Sequence, residues 1–227
     1  MGKPELLEWL AFRIGPLNVG PTVLTTWLVI ALLTGLAWAG TRRLSIASPS
    51  RLQSALEGTA LALQGAIAEA APGQADRLLP FIGTLWLFIA TANLIGLVPG
   101  LRAPTGELSL TIALALMVFG AVHWFGIRID GLRSHLRHYL DPNPILLPFH
   151  LLGEVTRTLA LAVRLFGNLL SLEMAALLVL LVAGFLAPVP LLMLHIVEAL
   201  VQAYIFGTLA LVYIAGALQS HEIHNKE

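Results

Sequence analysis

A single arginine, Arg164, interrupts one of the most apolar stretches of the chain, and its position restricts what that chain can be. Residues 159–186, LALAVRLFGNLLSLEMAALLVLLVAGFL, carry one cation, Arg164, and one anion, Glu173, among more than twenty apolar residues. That exceeds the ~20 residues a membrane-crossing helix needs. A guanidinium cannot shed its proton to escape an apolar setting. Holding it at mid-bilayer costs about 3 kcal/mol on insertion scales and more than ~10 in simulations of isolated helices. A chain keeps such a charge where it has a partner or a task, so an arginine at this depth reads as a functional residue by default.

The rest of the sequence agrees with a membrane setting. Of its 227 residues 57% are apolar and 11% charged, against about 25% charged in a soluble domain. Cysteine is absent, which excludes disulfides, thiolate metal sites and cysteine nucleophiles. Thirteen basic residues balance thirteen acidic ones, leaving no electrostatic footing for nucleic acid. The two lysines, Lys3 and Lys226, lie outside any phosphate-cradling glycine loop. No nucleotide, metal or other cofactor site is expected. The opening MGKPELLEWLAFRIG mixes acids with apolar residues and lacks the pattern of a signal peptide.

Hydropathy predicts an all-α integral membrane protein, a single membrane domain over 1–227 with about five embedded helices and an N-terminal segment at 1–18. Spans are expected at about Val19–Ala39, Leu78–Val98 and Leu108–Phe125. The stretch RLQSALEGTALALQGAIAEA has helical spacing and is placed at the membrane surface. The basic, amphipathic IRIDGLRSHLRHYLDPN is placed at the interface. Two long helices follow, over about 147–186 and 191–219. Forty helical residues extend about 60 Å, twice the hydrocarbon thickness, so both are expected to tilt strongly. They are expected to form an antiparallel hairpin over 147–219, turning at Gly184, Pro188 and Pro190.

The distribution of basic residues predicts orientation. With the N-terminus outside and the C-terminus in the cytoplasm, Arg42, Arg43, Arg51, Arg77, Arg128, Arg133, Arg137 and Lys226 fall inside. Lys3, Arg13 and Arg102 fall outside. No inverted repeat of the secondary-transporter kind is visible.

On the first long helix Arg157, Arg164 and Asn168 share one side at 100° per residue, and Glu173 projects roughly opposite Arg164. On the last helix His195, Glu198 and Gln202 form a stripe. A fold near Gly184 sets Arg164 opposite Gln202 and Glu173 opposite His195. Structural readings stand beside these. Asn168 and Gln202 also serve as interhelical hydrogen-bond glue, His195 as a neutral packing residue, and Glu154 with Arg157 as a local i, i+3 ion pair. Glu107 also reads as a solvated surface acid. Arg164 has no comparable bland reading.

At RLFGN, Arg164 to Asn168, the sequence resembles the membrane-embedded a subunit of F-type ATP synthases. Glu154, Arg157, Arg164, Asn168 and Glu173 match a family run of acid, base, key arginine, asparagine and acid. His195, seven residues before Gln202 and the AYIF that follows, matches the last helix. NLIGLVPG, PTGELSLT and DPNPILLP are further landmarks, so the resemblance covers roughly residues 78–220. Thr158 stands where the family commonly has proline, Ala160 where serine is frequent, Glu107 in place of a more usual aspartate, and Leu172 where a small residue is common. Glu198 is an additional acid.

The resemblance implies a non-catalytic stator subunit beside a rotating c-subunit ring, assembled with b-type peripheral stalk subunits and the rest of the synthase. It implies two offset half-channels to the ring carboxylates, with Arg164 as the separating, ion-releasing charge. Glu173, His195, Glu198 and Glu107 are then assigned to the outer path. Asn168 and Gln202 are assigned to orienting Arg164, and Glu154 and Arg157 to the inner exit. Protons are the expected ion, with sodium as the other candidate. A multi-pass location in the bacterial plasma membrane, in contact with lipid, is expected. The alternative is an independent channel or secondary transporter. A haem subunit lacks facing histidines at matched depth, and HEIH at 221–224 has the wrong spacing for a zinc protease.

Overall fold

The computed structural model describes residues 12–14, 17–42, 44–45, 49–98, 101–130, 147–183 and 189–224. Two short strands, β1 (Phe12–Ile14) and β2 (Leu17–Val19), pair antiparallel with Arg13 opposite Asn18. Helix α1 (Pro21–Thr41) begins with proline at a position whose missing N–H has no helical partner to lose. Helix α2 (Arg51–Ala70) is capped by Ser50, whose hydroxyl accepts from the Gln53 amide at 3.1 Å. Gly73, at φ 78°, lets the chain reverse into α3 (Ala75–Ile95). A 3-10 turn, Pro104–Gly106, precedes α4 (Leu108–Asp130), and the two long helices are α5 (Leu147–Ala183) and α6 (Val189–His224).

Five of these, α1 and α3 to α6, are long and apolar enough to cross a membrane. The chain is therefore the multi-pass all-α protein that its hydropathy predicts, with the small β-hairpin as an addition. Boundaries move by two or three residues for α1 and α3. The expected interfacial segment begins within α4, and its remainder lies outside the described residues, as do Gly184 and Pro188 of the expected turn. Pro190 is the second residue of α6, where a proline costs no hydrogen bond. The last helix, expected to end at about 219, continues through the HEIH segment to His224.

The core forms where α3, α4, α5 and α6 meet. Leu78, Ile82, Leu85, Trp86 and Ile89 of α3 pack with Leu114 and Val118 of α4, Leu161 and Leu165 of α5, and Phe206, Ala210 and Ile214 of α6. The spacing of three and four residues puts each set on one helix face. Helix α6 packs chiefly on α3, and α5 chiefly on α4. Small residues explain the first of these contacts. Ala199, Ala203 and Gly207 recur every fourth residue, which allows backbones to approach closely. A Cβ on Gly207 would overlap the Trp86 indole.

Candidate functional site

Arg164 lies one residue from the middle of α5. Its neighbours Leu161, Ala162, Leu165 and Leu169 are buried toward the core, which turns the arginine to the exposed face of the same helix. Among the described residues it has no ion pair and no hydrogen bond. A permanent charge is thus held at the centre of an apolar helix, facing outward, with no neutralising partner among the described residues.

Beside it runs a polar seam between α5 and α6. Asn168 Nδ2 donates to Gln202 Oε1 at 2.6 Å. Nearer the start of α5, the Arg157 guanidinium carbon lies 4.5 Å from the centroid of the Tyr213 ring. Advancing along α5 from Arg157 to Asn168 retreats by the same number of residues along α6, from Tyr213 to Gln202. The two helices therefore face each other antiparallel at these contacts. Their register differs from the expected one: Gln202 meets Asn168, one helical turn beyond Arg164. The expected pairing of Glu173 with His195 rests on a Glu173 side chain outside those described.

His195 and Gln202 are both buried, and His195 Nε2 and Gln202 Nε2 have no hydrogen-bond partner among the described residues. Buried polar nitrogens are rarely left so. Glu198, between them on the stripe, is half-buried. Glu107 is exposed, just after the 3-10 turn that packs against α5. Glu154 Oε1 lies 3.5 Å from Arg157 Nη1 one turn along α5, the local pair allowed for above.

A second polar network fixes α6 from the other side. Asn93, fully buried on α3, donates to the Ala199 carbonyl at 3.1 Å and accepts from the Thr105 hydroxyl at 2.5 Å. Trp86 stacks on Tyr204 with centroids 5.9 Å apart and donates from Nε1 to the Tyr204 carbonyl at 3.1 Å. Asn93, Thr105, Trp86 and Tyr213 were not singled out from sequence. An asparagine within an apolar span, the first residue of NLIGLVPG, was a usable signal, because a polar group there needs a partner.

The family described as ATP synthase A chain matches residues 23–215. The chain belongs to that family. It is 64% identical to ATP synthase subunit a 2 of Pelobacter propionicus over 211 residues, covering 93% of this chain and 92% of the relative. It is 62% identical to ATP synthase subunit a 1 of Hahella chejuensis over 211 residues, covering 93% of this chain and 88% of the relative. Identity to ATP synthase subunit a of Legionella pneumophila (strain Corby) is 51% over 226 residues, spanning 100% of this chain and 98% of the relative. As a member of the subunit a family, the chain is a non-catalytic stator component of the synthase membrane sector. The match also takes in α1 and α2, which precede the motifs that carry the resemblance in sequence.

Proposed function

We propose that this subunit conducts ions to and from the carboxylates of a c-subunit ring through two offset half-channels, with Arg164 between them. The observation that carries the reading is the exposed guanidinium at the centre of α5, which has no partner among the described residues. A ring carboxylate facing lipid stays protonated, because burial disfavours its charged form. A unit positive charge about 4 Å away stabilises the anion by about 4 kcal/mol at an effective dielectric near 20. That lowers proton affinity by roughly a thousandfold. The ring site then releases its ion on meeting Arg164, and the same fixed charge repels cations that would otherwise leak from one half-channel to the other.

The outer half-channel runs along the seam toward His195, Glu198 and Glu173, with Glu107 at its mouth. His195 Nε2 and Gln202 Nε2, which have no partner among the described residues, support this, since water in an aqueous path is the partner available at that depth. Asn168 and Gln202 support one another and define the seam next to Arg164. Glu154 and Arg157 flank the inner exit. The subunit works with the ring and with b-type stalk subunits in a bacterial plasma membrane, N-terminus outside and C-terminus in the cytoplasm.

The deciding experiment is ATP-driven acidification of inverted vesicles carrying the whole complex, wild type against Arg164→Ala, with and without sodium. Loss of pumping in the variant and sodium-independent acidification in the wild type are expected. Acidification blocked by sodium makes sodium a competing ion on the same path. Undiminished pumping by Arg164→Ala overturns the reading.

A further inference from the structure

Arg157 and Arg164 are seven residues apart on α5, so they project within about 20° of each other and about 10 Å apart along the axis. Both are exposed. An anion travelling past this strip meets two guanidinium groups that charge alone does not distinguish. Their surroundings do. Arg164 has no ion pair or hydrogen bond among the described residues. Arg157 is held twice, by Glu154 at 3.5 Å and by the face of Tyr213 at 4.5 Å.

We propose that Tyr213, together with Glu154, is a positioning residue that draws Arg157 onto α6, leaving Arg164 as the one guanidinium presented to the ring carboxylate. The inference rests on the reading of Arg164 given above. The two restraints do different things. Glu154 lies on the same helix one turn away and offsets the charge of Arg157, but it leaves the guanidinium free to swing across the exposed face. The side chain of Arg157 is 45% exposed, against 20% for Glu154, so there is room for that swing. Tyr213 belongs to the neighbouring helix. Its ring attracts the cation through its quadrupole, an interaction that strengthens where water is scarce, and so fixes the direction in which Arg157 points. A freed Arg157 would give the ring anion a second stopping place beyond Arg164 and slow its passage. The contact uses the ring face and not the hydroxyl, so phenylalanine preserves it and an aliphatic residue does not.

The test uses the whole complex in inverted vesicles. ATP-driven acidification and labelling of Arg157 by phenylglyoxal, read by peptide mass spectrometry, are compared for wild type, Tyr213→Phe and Tyr213→Leu. Tyr213→Phe is expected to match wild type in both. Tyr213→Leu is expected to slow pumping and to raise Arg157 labelling about fivefold, the ratio expected for losing one such contact. Equal behaviour of the two variants, or unchanged labelling in Tyr213→Leu, overturns the proposal. Tyr213→Met replaces the leucine variant if that fails to assemble. Failure of both to assemble assigns Tyr213 to packing and also overturns it. Arg164→Ala is measured alongside. Pumping by that variant overturns the underlying reading, whereas Arg157 labelling in the Tyr213 variants still reports on the restraint.

Discussion

Asn168 and Gln202, 34 residues apart in sequence, are joined by a 2.6 Å hydrogen bond that sets the register of α5 against α6. The bond lies one helical turn from Arg164, so whatever fixes this pair also fixes the place of the arginine beside the seam. Gln202 uses its oxygen here and leaves its nitrogen buried, with no partner among the described residues.

If the pair sets register, its two members act as one unit. Asn168→Leu and Gln202→Leu are each expected to destabilise the purified subunit by about 1 kcal/mol, within the range for polar contacts between membrane helices. The double variant should lose about as much as either single one, because the second substitution removes a partner already lost. Unfolding in graded detergent mixtures measures all three. Additive losses would mean that the two side chains act separately.

Lysine at 164 keeps a positive charge but replaces a planar, permanently ionised fork with a flexible ammonium that is readily neutralised when buried. Coupled pumping by Arg164→Lys in inverted vesicles is expected to fall at least about tenfold, the rate equivalent of ~1.4 kcal/mol. Wild-type pumping would show that charge alone suffices.

Gly207 of α6 leaves no room for a side chain beside the Trp86 indole of α3. Gly207→Ala is expected to cost about 1–3 kcal/mol, as overpacking of a filled core does. Because the obstacle is the indole, pairing the change with Trp86→Leu should give a smaller loss than the sum of the two single variants. Detergent unfolding reads the stabilities, and a sum that holds would place the strain elsewhere.

The natural absence of cysteine makes orientation directly testable. In whole cells a membrane-impermeant maleimide is expected to label Arg102→Cys but not Pro49→Cys, both positions being exposed in the fold. The reverse pattern would invert the topology.

The five spans are legible because an apolar helix that crosses a bilayer must be at least about as long as the bilayer is thick, a constraint written directly in composition. Arg164 and the α6 stripe are legible for the same reason, since a polar group stands out against that background. Register is not. Taking the fold point near Gly184 sets Arg164 opposite Gln202, but the observed contacts set Asn168 there and Arg157 against Tyr213. Each residue of error in a fold point moves the facing partner by two, and so Asn168 takes the place expected of Arg164. Tyr213 escapes notice because an aromatic residue in an apolar helix carries no contrast, and only the facing helix reveals what its ring holds. Asn93 does carry contrast, yet its partners are a hydroxyl in a following turn and a carbonyl on α6, which no local pattern brings together.

The packing of α6 chiefly on α3, and of α5 chiefly on α4, has a mechanical consequence. On the function proposed above, a rotor sliding past α5 would exert a tangential push, and a stator is useful only if it does not yield. Each long helix is backed by its own strut, with Trp86, Asn93 and the glycine contact bracing one and the leucine face of α5 bracing the other. Reaction force would then pass chiefly rearward into the bundle, where α4 touches both long helices. The seam, joined at Asn168–Gln202 and Arg157–Tyr213, would then bear little of that load, which on the same reading leaves it to ions and water while the helices on either side hold still.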